Sequence, residues 1–488
     1  MTILATLPVV VPLGGAALCL LARRRIRLQR LLSLAAAGGS LAVALALVVT
    51  VDREGPVAVA LGGWPPPLGI ALVADRLSAL ILAVAATVLF GVLTYAVGQH
   101  RGDTTVPHFH AVYQVLAAGV SLALLTGDLF TLFVAFEVMF IASYVLITAQ
   151  AGPEQVRATL TYVVVGLTAS ALFLVTVALI YAAAGSVNLA DLAGRMGEVP
   201  TATRRGLGWL LFMVFGIKAA IFPLFFWLPD SYPTAPTPVT AIFAGLFTKV
   251  GVYAMIRTQT LLFPGDQPST VMLVVAGLTM VVGVLGAIAQ SDIRRILSFH
   301  IVSQIGYMVM GLGFFTVAGV AAAIVFLVHQ IVVKTVLFLV GGLVEEASGT
   351  GALNKVSGVL HRYPVMALLY LPAALSLAGL PPFSGFVGKL ALVQAGFAAG
   401  QGPVVAVSLA ASVLTLFSMA KIWAGAFWGA PGPGPGRHPS ITTLAATAAL
   451  VVVSLAVAAA AQPLVDLAGR AAADLLSADA YRIAVLGG

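Results

Sequence analysis

The chain has 488 residues, of which 60% are hydrophobic and only 9% are charged. Soluble domains carry roughly 25% charged residues, so this composition excludes a set of water-soluble domains and predicts a polytopic membrane protein. The net charge of +8 comes from lysines and arginines that form no dense stripe, which argues against a nucleic-acid partner. The single cysteine, Cys19, excludes an internal disulfide framework.

Apolar runs divide the chain into predicted membrane-spanning helices. A bilayer core of about 30 Å needs roughly 20 apolar residues per helix. The sequence therefore predicts an all-α polytopic membrane protein with about 14 spans, at 3–21, 31–51, 69–97, 109–126, 129–150, 157–184, 207–228, 239–257, 270–290, 298–315, 317–343, 363–398, 403–428 and 440–461. Residues after 461 could add an amphipathic helix on the membrane surface.

A cluster of arginines predicts the orientation of the first span. Arg23, Arg24, Arg25, Arg27 and Arg30 all follow the first apolar run. Signal peptides place positive charge before such a run, so a cleaved signal is not expected. Arginines retained in the cytoplasm place the N-terminus outside. Counting these five, 12 of the 19 loop arginines and lysines lie on the predicted cytoplasmic side, which fits both termini outside.

The six lysines are distributed differently from the 19 arginines. Nearly all arginines are predicted to lie in loops, whereas only one lysine, Lys355, does. Four lysines lie well inside apolar runs, and Lys421 lies in the last third of its own; the four are Lys218, Lys249, Lys334 and Lys389. Charge at the bilayer centre is costly, and lysine, unlike arginine, can lose its proton when buried. The pattern predicts that these lysines gain and lose protons. The alternative is that their side chains extend to the membrane interface without a role in transport, and this alternative is strongest for Lys421.

Other polar residues complete the candidate site. Of 17 acidic residues, only Glu137 lies in the middle of an apolar run, where it needs a proton or a partner such as a buried lysine. His329 precedes Lys334 by five residues, so the two do not share a helix face, and a proton relay and a buried structural histidine are both open. His300 favours a structural role. Asp230 is a possible entry or loop residue.

Two spans contain helix-breaking residues. The seventh has Pro223 within an apolar run, and the twelfth has Pro372, Pro381 and Pro382 mid-span. Breaks five spans apart predict two inverted five-helix repeats with sites near the midplane. The predicted units are 1–108 with spans 1–3, 109–257 with spans 4–8, 258–428 with spans 9–13, and 429–488 with a linker, span 14 and the tail. We find no phosphate-loop, dinucleotide or metal-ligand motif, so no enzyme, cofactor or metal site is expected.

Five segments resemble one family. They are similar to helices of the antiporter-like membrane subunits: GDLFTLFVAFEVMFIASYVLIT, GIKAAIFPLFFWLPDSYPTAPTPVTAIFAGLFTKVG, SDIRRILSFHIVSQIGYMVMG, HQIVVKTVLFLVGG and LAGLPPFSGFVGKLALVQAGF. Multisubunit Na⁺/H⁺ antiporters, respiratory complex I and membrane-bound hydrogenases share these subunits. The sequence FEVMFIASYVLIT around Glu137 resembles the Mrp-type antiporter branch most. The prolines after LPD depart from the family pattern and leave the loop chemistry near Asp230 open.

The resemblance implies a function and partners. It implies a subunit of a bacterial plasma-membrane complex that translocates protons, with Na⁺ as the counter-ion and other membrane subunits as partners. Glu137 and Lys218 would form an ion pair, Lys249, His329 and Lys334 would relay protons, and Lys389 would be the exit site. The alternatives are a redox-driven proton pump of the same fold and a membrane scaffold without transport, which the buried lysines disfavour.

Overall fold

A computed structural model of the chain describes residues 2–99, 102–104, 106–148, 152–264, 269–430 and 437–487. The all-α membrane class is confirmed. Within the described residues, eleven helices are long and apolar enough to cross a membrane, and two shorter helices are also apolar. The predicted repeat of five helices stays a prediction, and residues 431–436 of the predicted linker lie outside the described residues.

The first half of the chain contains most of the membrane helices that flank Glu137, together with one hairpin. Its elements are α1 (Thr2–Leu21), α2 (Ile26–Glu54), β1 (Val57–Ala60), β2 (Ala71–Ala74), α3 (Arg76–Gly98), α4 (Phe109–Leu125), α5 (Leu129–Thr148), α6 (Pro153–Ala184), α7 (Leu189–Arg195), α8 (Thr201–Ala219), α9 (Trp227–Ser231), α10 (Thr237–Ile242) and α11 (Thr248–Leu262). Strands β1 and β2 pair antiparallel.

The second half begins after the segment 265–268, which lies outside the described residues. Its elements are α12 (Ser269–Ala289), α13 (Ile293–Gly313), α14 (Val317–Ser348), α15 (Val359–Arg362), α16 (Pro364–Ala378), α17 (Ser384–Ala398), α18 (Gly402–Ile422), α19 (Ile441–Ala459), α20 (Ala461–Ser477) and α21 (Asp479–Leu486). Two π-helical segments, Phe243–Phe247 and Trp423–Phe427, continue α10 and α18.

Both spans that were predicted to be broken are interrupted helices. Helix α8 ends at Ala219, and Ala220 adopts the left-handed conformation with φ 62° before α9 begins at Trp227. Helix α16 ends at Ala378, Gly379 has φ 88°, and α17 begins at Ser384. A left-handed residue after the last helical position is a common helix end, and it frees the final carbonyl groups for other partners.

The start of the third span differs from the prediction. The run 69–97 predicts one helix, but β2 occupies Ala71–Ala74 and α3 begins only at Arg76. Asp75 caps α3, because its carboxylate accepts a hydrogen bond from the Ser78 backbone N–H at 2.8 Å. An acidic residue at this position satisfies the free N–H groups of the first turn and so starts the helix there.

Burial separates a central group of helices from a peripheral one. In helix α14 and in the segment from α10 to α11, all residues of the most apolar stretch are buried. In α1, only a third of the residues in that stretch are buried. Helix α14 packs against α13, α16, α17, α19 and α20. The peripheral helices expose apolar side chains, as expected of a surface that faces lipid or a neighbouring subunit.

One buried ion pair is not anticipated by the sequence pattern. Arg257, expected in a loop, lies in α11 with 4% of its surface exposed and forms a bidentate pair with Asp75. Burial alone would raise the pKa of the Asp75 carboxyl, but the Arg257 guanidinium holds that pKa below its usual range. The ring of Tyr481 in α21 covers the guanidinium at 5.2 Å. The C-terminal tail, expected at the membrane surface, therefore covers this pair.

Breaking this pair on one side should strongly destabilise the fold. We expect Arg257→Leu to lower the free energy of unfolding by about 3–5 kcal/mol, because it leaves the Asp75 carboxylate buried without a counter-charge. Denaturation of the purified protein in a detergent titration measures the change. The double variant Asp75→Asn/Arg257→Leu should regain part of the lost stability, since asparagine keeps the helix cap and carries no charge.

The exposed Arg295 provides the control. We expect Arg295→Leu to lower the free energy of unfolding by less than about 1 kcal/mol. A loss in Arg257→Leu no larger than in that control would contradict the assignment.

Candidate functional site

The Glu137 carboxylate and the Lys218 ammonium are joined through a third side chain. Glu137 lies on α5, Lys218 in the last turn of α8, and Ser170 on α6 between them. The Ser170 hydroxyl donates a hydrogen bond to Glu137 and accepts one from Lys218 Nζ at 3.0 Å. In the structure, this hydroxyl bridges the predicted ion pair of Glu137 and Lys218. Ser170 was missed because a lone serine in an apolar helix gives no distinctive signal.

Aromatic side chains surround the Lys218 ammonium. Lys218 Nζ lies 5.6 Å from the ring centroid of Phe136 and 5.5 Å from that of Phe140. Ring faces attract cations, so these rings stabilise the ammonium beside Ser170. A cavity of about 40 Å³ adjoins the same side chain and is also lined by Tyr162 and Trp227. The cavity therefore lies next to the Lys218 amine, which can bind and release a proton.

Lys249 lies directly after the π-helical segment 243–247. Its side chain is 1% exposed, and Nζ donates a hydrogen bond to the Ala244 carbonyl within that segment. A π-helical turn shifts the backbone bonding pattern, and such turns are frequent at functional sites. Gly245 lets α14 approach closely, because a Cβ there would lie 2.2 Å from the Thr335 hydroxyl oxygen. This contact places the Lys249 region against the helix that carries Lys334.

Lys334 is the most isolated charged group of the site. Its side chain is fully buried in α14, and Nζ has no hydrogen-bond partner among the described residues. The ammonium groups of Lys249 and Lys389 lie close enough to act on it electrostatically. The three lysines therefore lie near one another in the buried interior.

His329 points towards the broken span rather than along the Lys334 face. Its Nδ1 lies 2.9 Å from the Ser384 hydroxyl at the start of α17, and that hydroxyl lies 3.1 Å from the Ser376 hydroxyl of α16. His329 Nε2 has no partner in the described part of the chain. The imidazole thus connects α14 to the break between α16 and α17.

Lys389 binds the helix end that the break creates. Its Nζ donates hydrogen bonds to the carbonyls of Leu377 at 3.1 Å and Ala378 at 2.8 Å, the last residues of α16. These carbonyls form the negative end of the helix dipole, which favours a cation. The Tyr307 ring lies below Nζ at 5.1 Å. Gly379 is required beside it, because its φ of 88° is left-handed and a Cβ would lie 2.6 Å from Lys389 Cδ.

Asp230 lies outside the buried row. Its carboxylate is 62% exposed and pairs with Arg295 at 3.1 Å. Arg294 reaches the same loop and donates hydrogen bonds to the Ala235 carbonyl at 2.8 Å and the Thr237 hydroxyl at 2.7 Å. The loop after α9 is therefore held against α13 by arginines.

His300, for which the sequence favoured a structural role, lies near two of the buried lysines. It is fully buried in α13, Nε2 lies 2.8 Å from the Ser418 hydroxyl, and both Lys334 and Lys389 act on it electrostatically. Within the described residues, no group of three or more His, Cys, Asp or Glu side chains is arranged to hold a metal ion.

Lys421 caps the end of a neighbouring helix. Its Nζ donates hydrogen bonds to the carbonyls of Ile288 at 2.8 Å and Gln290 at 2.6 Å at the end of α12. We expect Lys421→Met to leave ion transport unchanged while lowering the free energy of unfolding by about 1–3 kcal/mol, because two carbonyls lose their donor. Transport assays and denaturation of the same preparation test this. Lost transport with unchanged stability would contradict it.

Comparisons with known proteins identify the family of this chain. The family model described as "NADH:quinone oxidoreductase/Mrp antiporter, TM" matches residues 126–415, which include Glu137 and all the buried lysines up to Lys389. This chain belongs to that family.

Individual relatives cover nearly all of the chain. A subunit of the Na⁺/H⁺ antiporter of Alkalihalophilus pseudofirmus is 44% identical over 87% of each chain. A chain in the structure of the Mrp complex from a Dietzia species superimposes with a TM-score of 0.94 at 36% identity, over the full length of both chains. A chain of the membrane-bound sulfane sulfur reductase, an archaeal respiratory complex, superimposes over the full length of both chains with a TM-score of 0.92 at 27% identity.

Proposed function

We propose that the chain is the proton-translocating subunit of a multisubunit Na⁺/H⁺ antiporter in the plasma membrane, with both termini outside. The observation that supports this most strongly is a row of titratable groups in the membrane helices. Lys249, His329, Lys334 and Lys389 are buried, and the half-buried Glu137 and Lys218 are joined through Ser170. Such groups are costly to insert into a membrane and mark ion pathways. The 44% identity to a subunit of an Na⁺/H⁺ antiporter favours Na⁺ as the exchanged ion.

The bridged pair would act as the proton-loading step. While Lys218 stays bonded to Ser170 beside Glu137, the carboxylate favours the charged ammonium. If the three side chains separate, burial favours the neutral amine, and the released proton moves towards Lys249. The cavity next to Lys218 would give water access for reloading.

The broken spans would hold the two ends of the row. Lys218 lies in the last turn before the first break, and Lys389 binds the carbonyls freed at the second. Both breaks follow a helix that ends in a left-handed residue. This correspondence supports the two inverted repeats, 109–257 and 258–428, around a site at the midplane.

Protons would leave through Lys389. Its ammonium is stabilised by the C-terminal dipole of α16, so a small movement of α16 relative to α17 would remove this stabilisation and release the proton. Within the described residues, no second carboxylate accompanies Glu137 at depth in the row, so we assign the Na⁺ route to a partner subunit.

A Na⁺ gradient imposed on the purified complex tests this function. The complex is isolated from its native membrane, its chains are identified, and it is reconstituted into vesicles that contain a pH dye. We expect the Na⁺ gradient alone to drive proton movement, without any electron donor. Proton movement that requires an electron donor, together with co-purified iron–sulfur chains, would contradict antiport.

That second outcome defines the alternative function. A redox-driven proton pump uses the same fold, and the full-length superposition on a chain of an archaeal respiratory complex favours it as the second candidate. The buried row would work in the same way, and only the driving force would differ.

A further inference from the structure

A large cavity lies between α14, α17 and α20, apart from the row of titratable groups. Its volume of about 880 Å³ is in the range of sites that bind small ligands. On α14 its wall runs from Val317, the first residue, to Val325, which lies about 12 Å along the helix. Helix α20 begins at Ala461, directly after the membrane helix α19 ends at Ala459, so α20 lies at the membrane boundary. The cavity therefore begins at this boundary and extends into the apolar layer.

The polar and apolar parts of the lining are separated. The walls on α14 and α17 consist of alanines and valines, apart from Gln394 on α17. Both charged residues of the described lining, Asp466 and Arg470, belong to α20. Apolar walls do not hold ordered water. A cavity lined in this way fits an amphiphile with its headgroup at α20 and its tail between α14 and α17.

The two charged residues present one acidic and one basic group on the same face of α20. Asp466 and Arg470 are four residues apart, a spacing that places their Cβ atoms about 5–6 Å from each other. Arg470 is held by Asp52, to which its Nε and Nη2 donate hydrogen bonds at 3.0 and 2.9 Å. Asp466 accepts a hydrogen bond from Gln462 Nε2 at 2.8 Å. The two side chains are therefore bonded to other residues rather than to each other, and both remain exposed.

This face of α20 has space for a headgroup. A Cβ added at Gly469 would contact no other part of the described structure within 4 Å. Arg470 has 47% of its side-chain surface exposed, and its Nη1 has no hydrogen-bond partner among the described residues. A guanidinium recognises phosphate, and a carboxylate recognises an ammonium group. A headgroup that carries a phosphate and an amine matches both side chains.

We propose that the cavity binds one phospholipid whose headgroup carries a phosphate and a primary amine, with an acyl chain between α14 and α17. The phosphate accepts a hydrogen bond from Arg470 Nη1, and the ammonium group donates to the Asp466 carboxylate. A lipid with a phosphate but no amine places uncompensated negative charge beside Asp466, so it binds more weakly. Helix α17 carries Lys389 and α14 carries Lys334, so the lipid joins two helices of the site at the membrane boundary. The proposal does not depend on the transported ion or on the driving force.

Two photoreactive lipids test the headgroup preference in the wild-type complex. Phosphatidylethanolamine and phosphatidylglycerol, each with a diazirine at the same position of one acyl chain, are added separately to the complete complex purified in detergent. After illumination, mass spectrometry locates the labelled peptides. We expect the phosphatidylethanolamine probe to label 317–325 and 391–398 about tenfold more than the phosphatidylglycerol probe. Equal labelling by the two probes, or no labelling of these segments, would overturn the proposal.

A charge reversal tests the role of Asp466. Asp466→Lys places a second positive charge at the headgroup end, so we expect phosphatidylglycerol to label the two segments more strongly than phosphatidylethanolamine. Asp479 on α21 provides the matched control, because it is an exposed aspartate of the same tail that does not line the cavity. Asp479→Lys should keep the wild-type preference. An unchanged preference in Asp466→Lys would contradict the proposed headgroup contact.

A cavity-filling substitution tests the position of the tail. Ala391→Phe places a ring in the α17 wall of the cavity, so we expect labelling of 317–325 to fall by about tenfold. Ala410→Phe adds the same ring at an exposed position of α18 outside the cavity and should leave the labelling unchanged. Retained labelling in Ala391→Phe, or a helix of a partner subunit seated in the cavity in a cryo-EM map of the complete complex, would show that the lipid assignment is wrong. Because labelling is measured without an ion gradient, such a failure leaves the proposed transport function intact.

Discussion

Replacement of Lys389 by alanine should reduce Na⁺-driven proton transport by about 100-fold or more, because the exit group of the proposed route is lost. The expected effect is large because the Lys389 ammonium donates to both terminal carbonyls of α16, at 3.1 and 2.8 Å. Without it, the break loses its titratable group and its positive charge together. The measurement is the rate of dye-detected proton movement in vesicles that contain the complete complex.

Lys389→Arg separates charge from proton exchange. Arginine can keep the positive charge near the α16 carbonyls but does not release its proton in proteins. We expect this variant to assemble normally and to be as inactive as the alanine variant. Substantial activity in Lys389→Arg would show that Lys389 serves only as a fixed charge at a helix end, as Lys421 does at α12.

Replacement of Glu137 by glutamine should produce the second large effect. The substitution keeps the shape and the hydrogen bond with Ser170 but removes the negative charge that favours the Lys218 ammonium. We expect transport to fall by about 100-fold, since loading of the first lysine depends on that charge. Initial rates in the reconstituted complex measure the loss.

Two further variants make the Glu137 result specific. Glu54→Gln changes an exposed glutamate at the end of α2 and should leave the rate unchanged. Ser170→Ala removes the bridging hydroxyl and should lower the rate by about tenfold, because the charges remain but the hydrogen-bonded link between them is lost. A Glu137→Gln variant as active as Glu54→Gln would contradict the loading role.

The sequence predicted the charged members of the site because charge is exceptional in an apolar helix. Glu137 and the buried lysines stand out against their surroundings whatever the tertiary structure. The prolines near 223 and 381 likewise predict interrupted helices, since proline removes a backbone donor wherever it lies. These inferences depend on single residues and their immediate neighbours.

The partners of those residues could not be predicted in the same way. Ser170 is an uncharged residue of a common type, and its role depends on which helices pack together. The pair of Asp75 and Arg257 joins residues 182 positions apart, and both lie near the ends of their helices, where charge is ordinary. The environment of Lys389 depends on carbonyls that only the folded break exposes.

Lys334 offers the most direct test of the central claim that protons pass along the buried row. The measurement is Na⁺-driven proton flux in vesicles containing the complete complex with Lys334→Met, compared with Lys355→Met, which changes a lysine outside the spans. The claim predicts a flux at least about 100-fold lower for Lys334→Met and an unchanged flux for Lys355→Met. Wild-type flux in the assembled Lys334→Met complex would contradict it.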